Sequence, residues 1–152
     1  MRSITVLLMI CYCIFSSAHA QTATAYDSVL AKKLNADDYG MKRYIMVILK
    51  TGSATETDSL KVSNIFKGHM KNIQSLAAQN KLVVAGPLGD NDKKYEGIFV
   101  LNTENIEDAK KMLATDPAVQ EKFLEPELYL WYCTAALQQI TELHNRIQKK
   151  HF

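Results

Sequence analysis

VSNIFKGHMKNIQSLAAQNKLVVAGPL, residues Val62 to Leu88, reads as an amphipathic helix running into a short apolar strand. Val62, Phe66, His69, Ile73, Leu76 and Ala77 recur at helical spacing and share one face. That face is apolar except for His69. The helix is expected over roughly Val62 to Gln79, Asn80-Lys81 turns the chain, and LVVA at Leu82–Ala85 is a strand closed by Gly86-Pro87. The rest of the chain then supplies the sheet this helix packs on and the walls around His69.

On the N-terminal side lies KRYIMVILKT, Lys42 to Thr51, whose continuous apolar run Tyr44–Leu49 is bounded by charge and by Gly52. Such a run is a buried central strand. The polar loop Gly52–Leu60 carries Ser, Thr and Asp residues able to cap the following helix. On the C-terminal side, GDNDKK at Gly89–Lys94 is a hairpin turn. YEGIFVL at Tyr95–Leu101 is a third strand antiparallel to the second, with Gly97 marking a bulge or a close backbone approach. A helix over Ile106–Ala114 turns Ile106, Ala109 and Leu113 inward, and Asp116-Pro117 ends it. Asp116 can then cap a short helix over Pro117–Phe123.

ELYLWYC at Glu127–Cys133 is a fourth strand with alternating faces. Leu128, Leu130 and Tyr132 lie on one side, and Glu127, Tyr129, Trp131 and Cys133 on the other. A long tail helix is expected over Thr134–Gln148, with Leu137, Ile140, Leu143 and Ile147 along one side. At the other end, Tyr26–Leu34 forms a short helix with Val29 and Leu30 inward. The order is β-α-β-β-α-β with a helix added at each end, an α+β, ferredoxin-like arrangement. Helices cover one face of its sheet. The other face is apolar and left bare, which predicts a homodimer with the sheets face to face.

The first twenty residues are excluded from the fold. Arg2 is a basic start, Ile4–Phe15 an apolar run too short to span a bilayer, and Ala18-His19-Ala20 an A-x-A cleavage pattern. This is a secretory signal peptide with cleavage expected after Ala20, so the mature chain is secreted or periplasmic and keeps no membrane segment. Residues 21–40 form an N-terminal extension, 41–133 one domain, and 134–152 the C-terminal helix. The 18 basic residues nearly balance the 16 acidic ones. No basic stripe suited to nucleic acid results. Cys11 and Cys13 leave with the signal, so Cys133 has no partner for an internal disulfide and reads as a small apolar residue.

Chemistry converges on His69. A histidine on an apolar helix face is commonly a core residue with one satisfied hydrogen bond, but Gly68 leaves room beside this one. The predicted topology brings Asp116 near. A carboxylate on one ring nitrogen fixes the tautomer and frees the other nitrogen for proton transfer. Asp116 has a competing role as helix cap, and its two oxygens allow both. Glu127 shares its strand face with Trp131 and either joins the pocket or sits at the exposed strand start. His144 and His151 on the tail have no carboxylate or cysteine partner that would make a metal pair. Walker, dinucleotide, Cys-x-x-Cys and nucleophile-elbow patterns are absent from the sequence.

In their order and spacing, several of these pieces resemble the YciI-like (YCII-related) family of the dimeric α+β barrel superfamily. They are YIMVILKTG, His69 with Leu76 and Asn80-Lys81, AGPL at Ala85–Leu88, GIFVLN, EDAKKMLATDPAV at Glu107–Val119, and ELYLWYCTAAL at Glu127–Leu137. The resemblance implies a catalytic pair at His69 and Asp116, with Gly86, Pro87 and Trp131 lining the same pocket. Leu130 stands where the family often has proline, and Cys133 where a small residue is common, so the pocket wall differs. The expected function is a cofactor-independent enzyme, a lyase or isomerase. Its substrate would be a small organic acid, a lactone or a halogenated aromatic. The alternative is a non-catalytic homodimer that binds a small ligand, haem included, through His69.

Overall fold

The computed structural model describes residues 25–150; the expected signal peptide and His151 lie outside them. The described elements are α1 (Ser28–Lys33), β1 (Met41–Thr51), α2 (Ser59–Ala78), β2 (Leu82–Pro87) and β3 (Tyr95–Leu101). They continue with α3 (Ile106–Leu113), α4 (Pro117–Gln120), β4 (Leu124–Thr134), a 3-10 turn (Ala135–Gln139) and α5 (Ile140–Ile147). β1-α2-β2-β3-α3-β4 is the α+β, ferredoxin-like order. The strands form one antiparallel sheet in the order β2-β3-β1-β4.

α2 is defined by its two ends. Asp58 accepts hydrogen bonds from the backbone N–H groups of Leu60 and Lys61, so the helix starts at Ser59, ahead of the expected Val62. At the other end Asn80 takes a left-handed φ of 54°. Lys81 N–H then donates to Leu76 O, and Asn80 N–H to Ala77 O, which satisfies the last carbonyls in a Schellman motif. The chain leaves this turn directly into β2. Ile65 and Leu76 are the buried residues of α2. Ile65 was absent from the face read off the sequence. The observed stripe is rotated toward it, and Phe66 is left on the flank, 38% exposed.

Alternation along β1 separates two apolar layers. Ile45, Val47 and Leu49 point toward the helices and join Phe99, Leu101, Ile65, Leu76, Leu113 and Leu124 in the main core. Tyr44 points the other way and is buried with Val83 and Val100. Register carries the pattern to β4: Tyr44 pairs with Trp131, Met46 with Tyr129 and Ile48 with Glu127. Residues directly opposite in a ladder share a face, so these β4 side chains lie on the layer away from the helices.

Several sequence expectations are corrected. Gly86 and Pro87 belong to β2 itself, paired with Ile98 and Gly97. β2 is an edge strand, where proline's missing N–H is tolerated. Gly97 marks a close approach, since a Cβ there would sit 2.9 Å from Gly86 O. α1 is too short to bury a stripe: Val29 and Leu30 are exposed and Leu34 is the buried residue. Ile106 is likewise exposed, while Ala109 and Leu113 are buried.

The tail is not one helix. Thr134 caps Ala136 N–H, and the Tyr44 hydroxyl lies against the carbonyls of Thr134 and Ala135. The chain is thereby turned in a tight 3-10 segment onto the sheet face opposite the helices. Leu137 packs there beside Tyr44, Val83 and Val100, so the face expected to be bare is covered at one end. Leu143 and Ile147 remain exposed.

Candidate active site

His69 sits on the core side of α2, and Asp116 in the turn between α3 and α4. The imidazole Nδ1 lies 2.7 Å from Asp116 Oδ2. The His69 side chain is 12% exposed and that of Asp116 is 0% exposed. Local chemistry puts Asp116 there. Pro117 occupies the first position of α4, where its missing N–H costs nothing. Asp116 is the cap of that helix, its Oδ1 accepting from Ala118 N–H at 2.9 Å. One oxygen holds the helix and the other holds the histidine. The carboxylate therefore cannot rotate without breaking one bond or the other.

In the neutral ring, a hydrogen on Nδ1 serves this bond and leaves Nε2 with its lone pair. Aromatic rings surround the imidazole. Phe99 from β3 stacks on it with centroids 5.9 Å apart and planes 16° apart. Phe66 approaches edge-on at 6.1 Å and itself meets Phe123 edge-on at 5.8 Å. A ring so held has one orientation, and apolar walls strengthen the hydrogen bond to Asp116 by excluding water. What the arrangement can do is take up or deliver one proton at Nε2.

The approach of α2 to this turn depends on Gly68. A Cβ at Gly68 would lie 2.9 Å from Pro117 Cγ, too close for a ring fused to the backbone to yield easily. On the far side of the pair, Thr115 Oγ1 lies 2.8 Å from the side-chain amide of Asn72. None of Phe99, Phe123, Asn72 or Thr115 was picked out from the sequence. Phe99 was readable from strand alternation and Asn72 from its spacing of one helical turn after His69. Phe123 and Thr115 carry no such signal.

Of the other expected site residues, Pro87 shares the helix-side face with Phe99, since its register partner Gly97 lies opposite Leu49 of the main core; Gly86, Glu127 and Trp131 do not. Glu127 and Trp131 lie on the sheet face away from the helices, opposite the face that Phe99 presents to His69. Glu127 pairs with Lys50 at 2.8 Å, and the Tyr129 hydroxyl donates to it at 3.1 Å. The Lys50 hydrogen bond, reinforced by Tyr129, holds the Glu127 carboxyl below the usual carboxylate range. Gly86 and Pro87 lie on the edge strand beside β3, where Gly86 faces away from the helices with its partner Ile98. An open groove of about 940 Å³ is lined by Asn35, Asp37, Lys42, Arg43, Glu104 and Tyr132 among others. It is at the Met41 end of β1, away from Val47, the register partner of Phe99. Cys133 is half-buried with a free thiol.

No protein-family model matches the chain, and no match was found among curated proteins. Among solved structures the chain is similar to 5-chloro-2-hydroxyhydroquinone dehydrochlorinase from Burkholderia phenoliruptrix AC1100, in complex with 2,5-dihydroxybenzoquinone. The two are 20% identical over 57% of this chain and 92% of that one, with a TM-score of 0.41. So loose an overlap transfers no residue role from that enzyme.

Proposed function

We propose that this chain is a cofactor-independent acid–base enzyme of the lyase or isomerase type, an exported member of the YciI-like family. The observation that carries the proposal is the 2.7 Å contact between His69 Nδ1 and a carboxylate with 0% exposure. A histidine oriented in this way serves a reaction that moves protons and needs no external electrons. In the elimination form, Nε2 removes a proton from the substrate. The electron pair left behind forms a double bond, and the leaving group departs with its own pair. In the isomerase form the same nitrogen returns the proton to a different atom. The phenyl rings of Phe66 and Phe99 favour a small, largely apolar substrate, such as a lactone, a hydrophobic acid or a halogenated aromatic.

The test is turnover of a panel of such compounds by the wild-type protein and by His69→Gln, which keeps a polar side chain but has no ring nitrogen to carry the proton. General acid–base catalysis is worth about 10²–10⁴-fold, so His69→Gln should lose turnover by that factor while keeping its fold. A variant that still turns over a wild-type substrate within a few-fold ends the role of His69 as the acid–base group, and a wild type that turns over none of the panel counts against the enzyme reading.

The proposal includes a homodimer. Met46, Ile48 and Ile98 are half-buried and Tyr129 is exposed on the face that the tail leaves uncovered. A second copy would bury this apolar layer, and Trp131 and Glu127 would then serve the interface. Sedimentation should give a dimer that Ile48→Lys dissociates. A wild-type monomer at micromolar concentration would refute this part of the proposal.

A further inference from the structure

We propose that Asn72 and Thr115 form the positioning element for the His69–Asp116 pair. The proposal concerns the geometry of that pair and stands whether or not the pair is catalytic.

The turn carrying Asp116 runs antiparallel along α2 and touches it at three places. Gly68 meets Pro117, His69 meets Asp116, and Asn72 meets Thr115. The first contact is a steric stop, which prevents the turn from moving closer. It cannot prevent the turn from swinging away. The Asn72–Thr115 hydrogen bond is a tie, and it is on the other side of the catalytic candidate. Between a stop and a tie, the separation of Nδ1 and Oδ2 is set by the backbone on both sides. Without the tie, the turn is seated on α2 by the pair itself and, on the Pro117 side, by the Gly68 contact and the packing of α4 and Phe123 against α2.

The protons around Thr115 indicate how the tie is made. Thr115 Oγ1 lies 2.7 Å from Met112 O as well as 2.8 Å from the Asn72 amide oxygen. A hydroxyl has one proton and cannot donate to both. Asn72 Nδ2, meanwhile, is buried with no partner among the described residues. Turning the amide over resolves the first conflict and removes the unpaired donor, because the two amide ends are equal in shape. Nδ2 then donates to Thr115 Oγ1, and Oγ1 donates to Met112 O. A buried carbonyl oxygen is left without a partner, which proteins tolerate more readily than an unpaired N–H. In this form the tie links α2 through Thr115 to the last turn of α3, so both helices bear on the position of Asp116.

The experiment reads the imidazole directly, without a substrate. Long-range proton–nitrogen spectra of His69 in the purified wild-type protein should show one tautomer, with the hydrogen on Nδ1 and a far-downfield proton from its bond to Asp116. Thr115 is exposed, so Thr115→Val should fold. It should lose the downfield proton and give averaged tautomers, and Thr115→Ser should restore the wild-type pattern. Asn72→Ala should reproduce Thr115→Val if it folds. A Thr115→Val protein with an unchanged tautomer pattern overturns the proposal, even if its unfolding temperature falls, since that is what a purely structural hydrogen bond would do. Failure of His69→Gln to lose turnover would sink the catalytic role of His69 and leave this result untouched.

Discussion

The two faces of the one sheet each carry a carboxylate that hydrogen-bonds a basic side chain, and the two pairs differ in nearly everything else. On the helix side, Asp116 is fully buried, spends one oxygen on a helix cap and the other on His69. On the opposite side, Glu127 and Lys50 meet half-exposed to solvent, with Tyr129 as an added donor. Both pairs are short. Distance alone would rank them equal. What separates them is solvent: a pair that water can reach is screened and replaceable, whereas a buried one has no substitute partner. The helix-side pair therefore has a single geometry, and that is the property acid–base chemistry requires.

The comparison is broken most severely by removing each carboxylate in turn. Asp116→Ala deletes a helix cap, worth about 0.5–2 kcal/mol, and leaves a nearly buried imidazole N–H unpaired, at about 1–3 kcal/mol. A loss of about 1.5–5 kcal/mol in denaturant unfolding is expected, along with loss of the His69 tautomer preference. Glu127→Ala should cost clearly less, since its pair with Lys50 is half-exposed and its loss removes no helix cap. If the two variants are equally damaging, the contrast between the faces is wrong.

Gly68→Ala is expected to have a smaller effect on stability. Alanine favours a helix interior by about 1 kcal/mol, while overpacking against the Pro117 ring costs about 1–3 kcal/mol. The net should be a loss of about 1 kcal/mol, with a proportionally larger fall in turnover because the displaced ring adjoins Asp116. A Gly68→Ala protein more stable than wild type would show that the α4 turn can retreat freely.

The smallest effect belongs to another open pair. Glu56 accepts from Lys61 Nζ at 2.7 Å and from the backbone N–H groups of Asp58 and Thr57. The Lys61 bond is the main cause that holds its carboxyl down to about 2. Because the folded value lies below the ordinary one of 4.5, the contribution to stability is present above 4.5 and is lost as pH falls toward 2. A carbon-13 titration of the Glu56 carboxyl should show the depressed midpoint, and added salt should move it back up. A midpoint at the ordinary value would mean that this pair does not form in solution.

Much of the fold was legible because hydrophobic period is a local property. The apolar run Tyr44–Leu49, the alternation in Glu127–Cys133 and the helical spacing around His69 each announce an element without reference to any other. The errors fall where burial depends on neighbours. Val29, Leu30 and Ile106 have apolar side chains at helical positions but nothing to pack on, so they stay exposed. Leu137 was read as one point on a long tail helix. In the structure it is a plug on the far side of the sheet, placed there by a turn that Tyr44 and Thr134 stabilise. The site divides along the same line. His69 and Asp116 were marked by residue type in an unusual setting, a polar ring on an apolar stripe and an acid before a proline. Trp131 was placed beside them by the family resemblance and Glu127 by sharing its strand face, and the sheet keeps both on its other side.

By itself, the sequence determined the order of strands and helices, the helix end at Asn80, and the presence of one histidine on a buried helix face. These follow from backbone preferences and from the 2.0 and 3.6 residue periods, which act within a few residues. Only the tertiary structure decided that Nδ1 of His69 rests on Asp116, that Phe99 stacks on the ring, and that Gly68–Pro117 and Asn72–Thr115 flank the pair on either side. Those contacts join distant parts of the chain. Their distances are set by how closely α2 approaches the turn before α4, a spacing fixed by the sum of side-chain volumes between helix and sheet rather than by any local stretch.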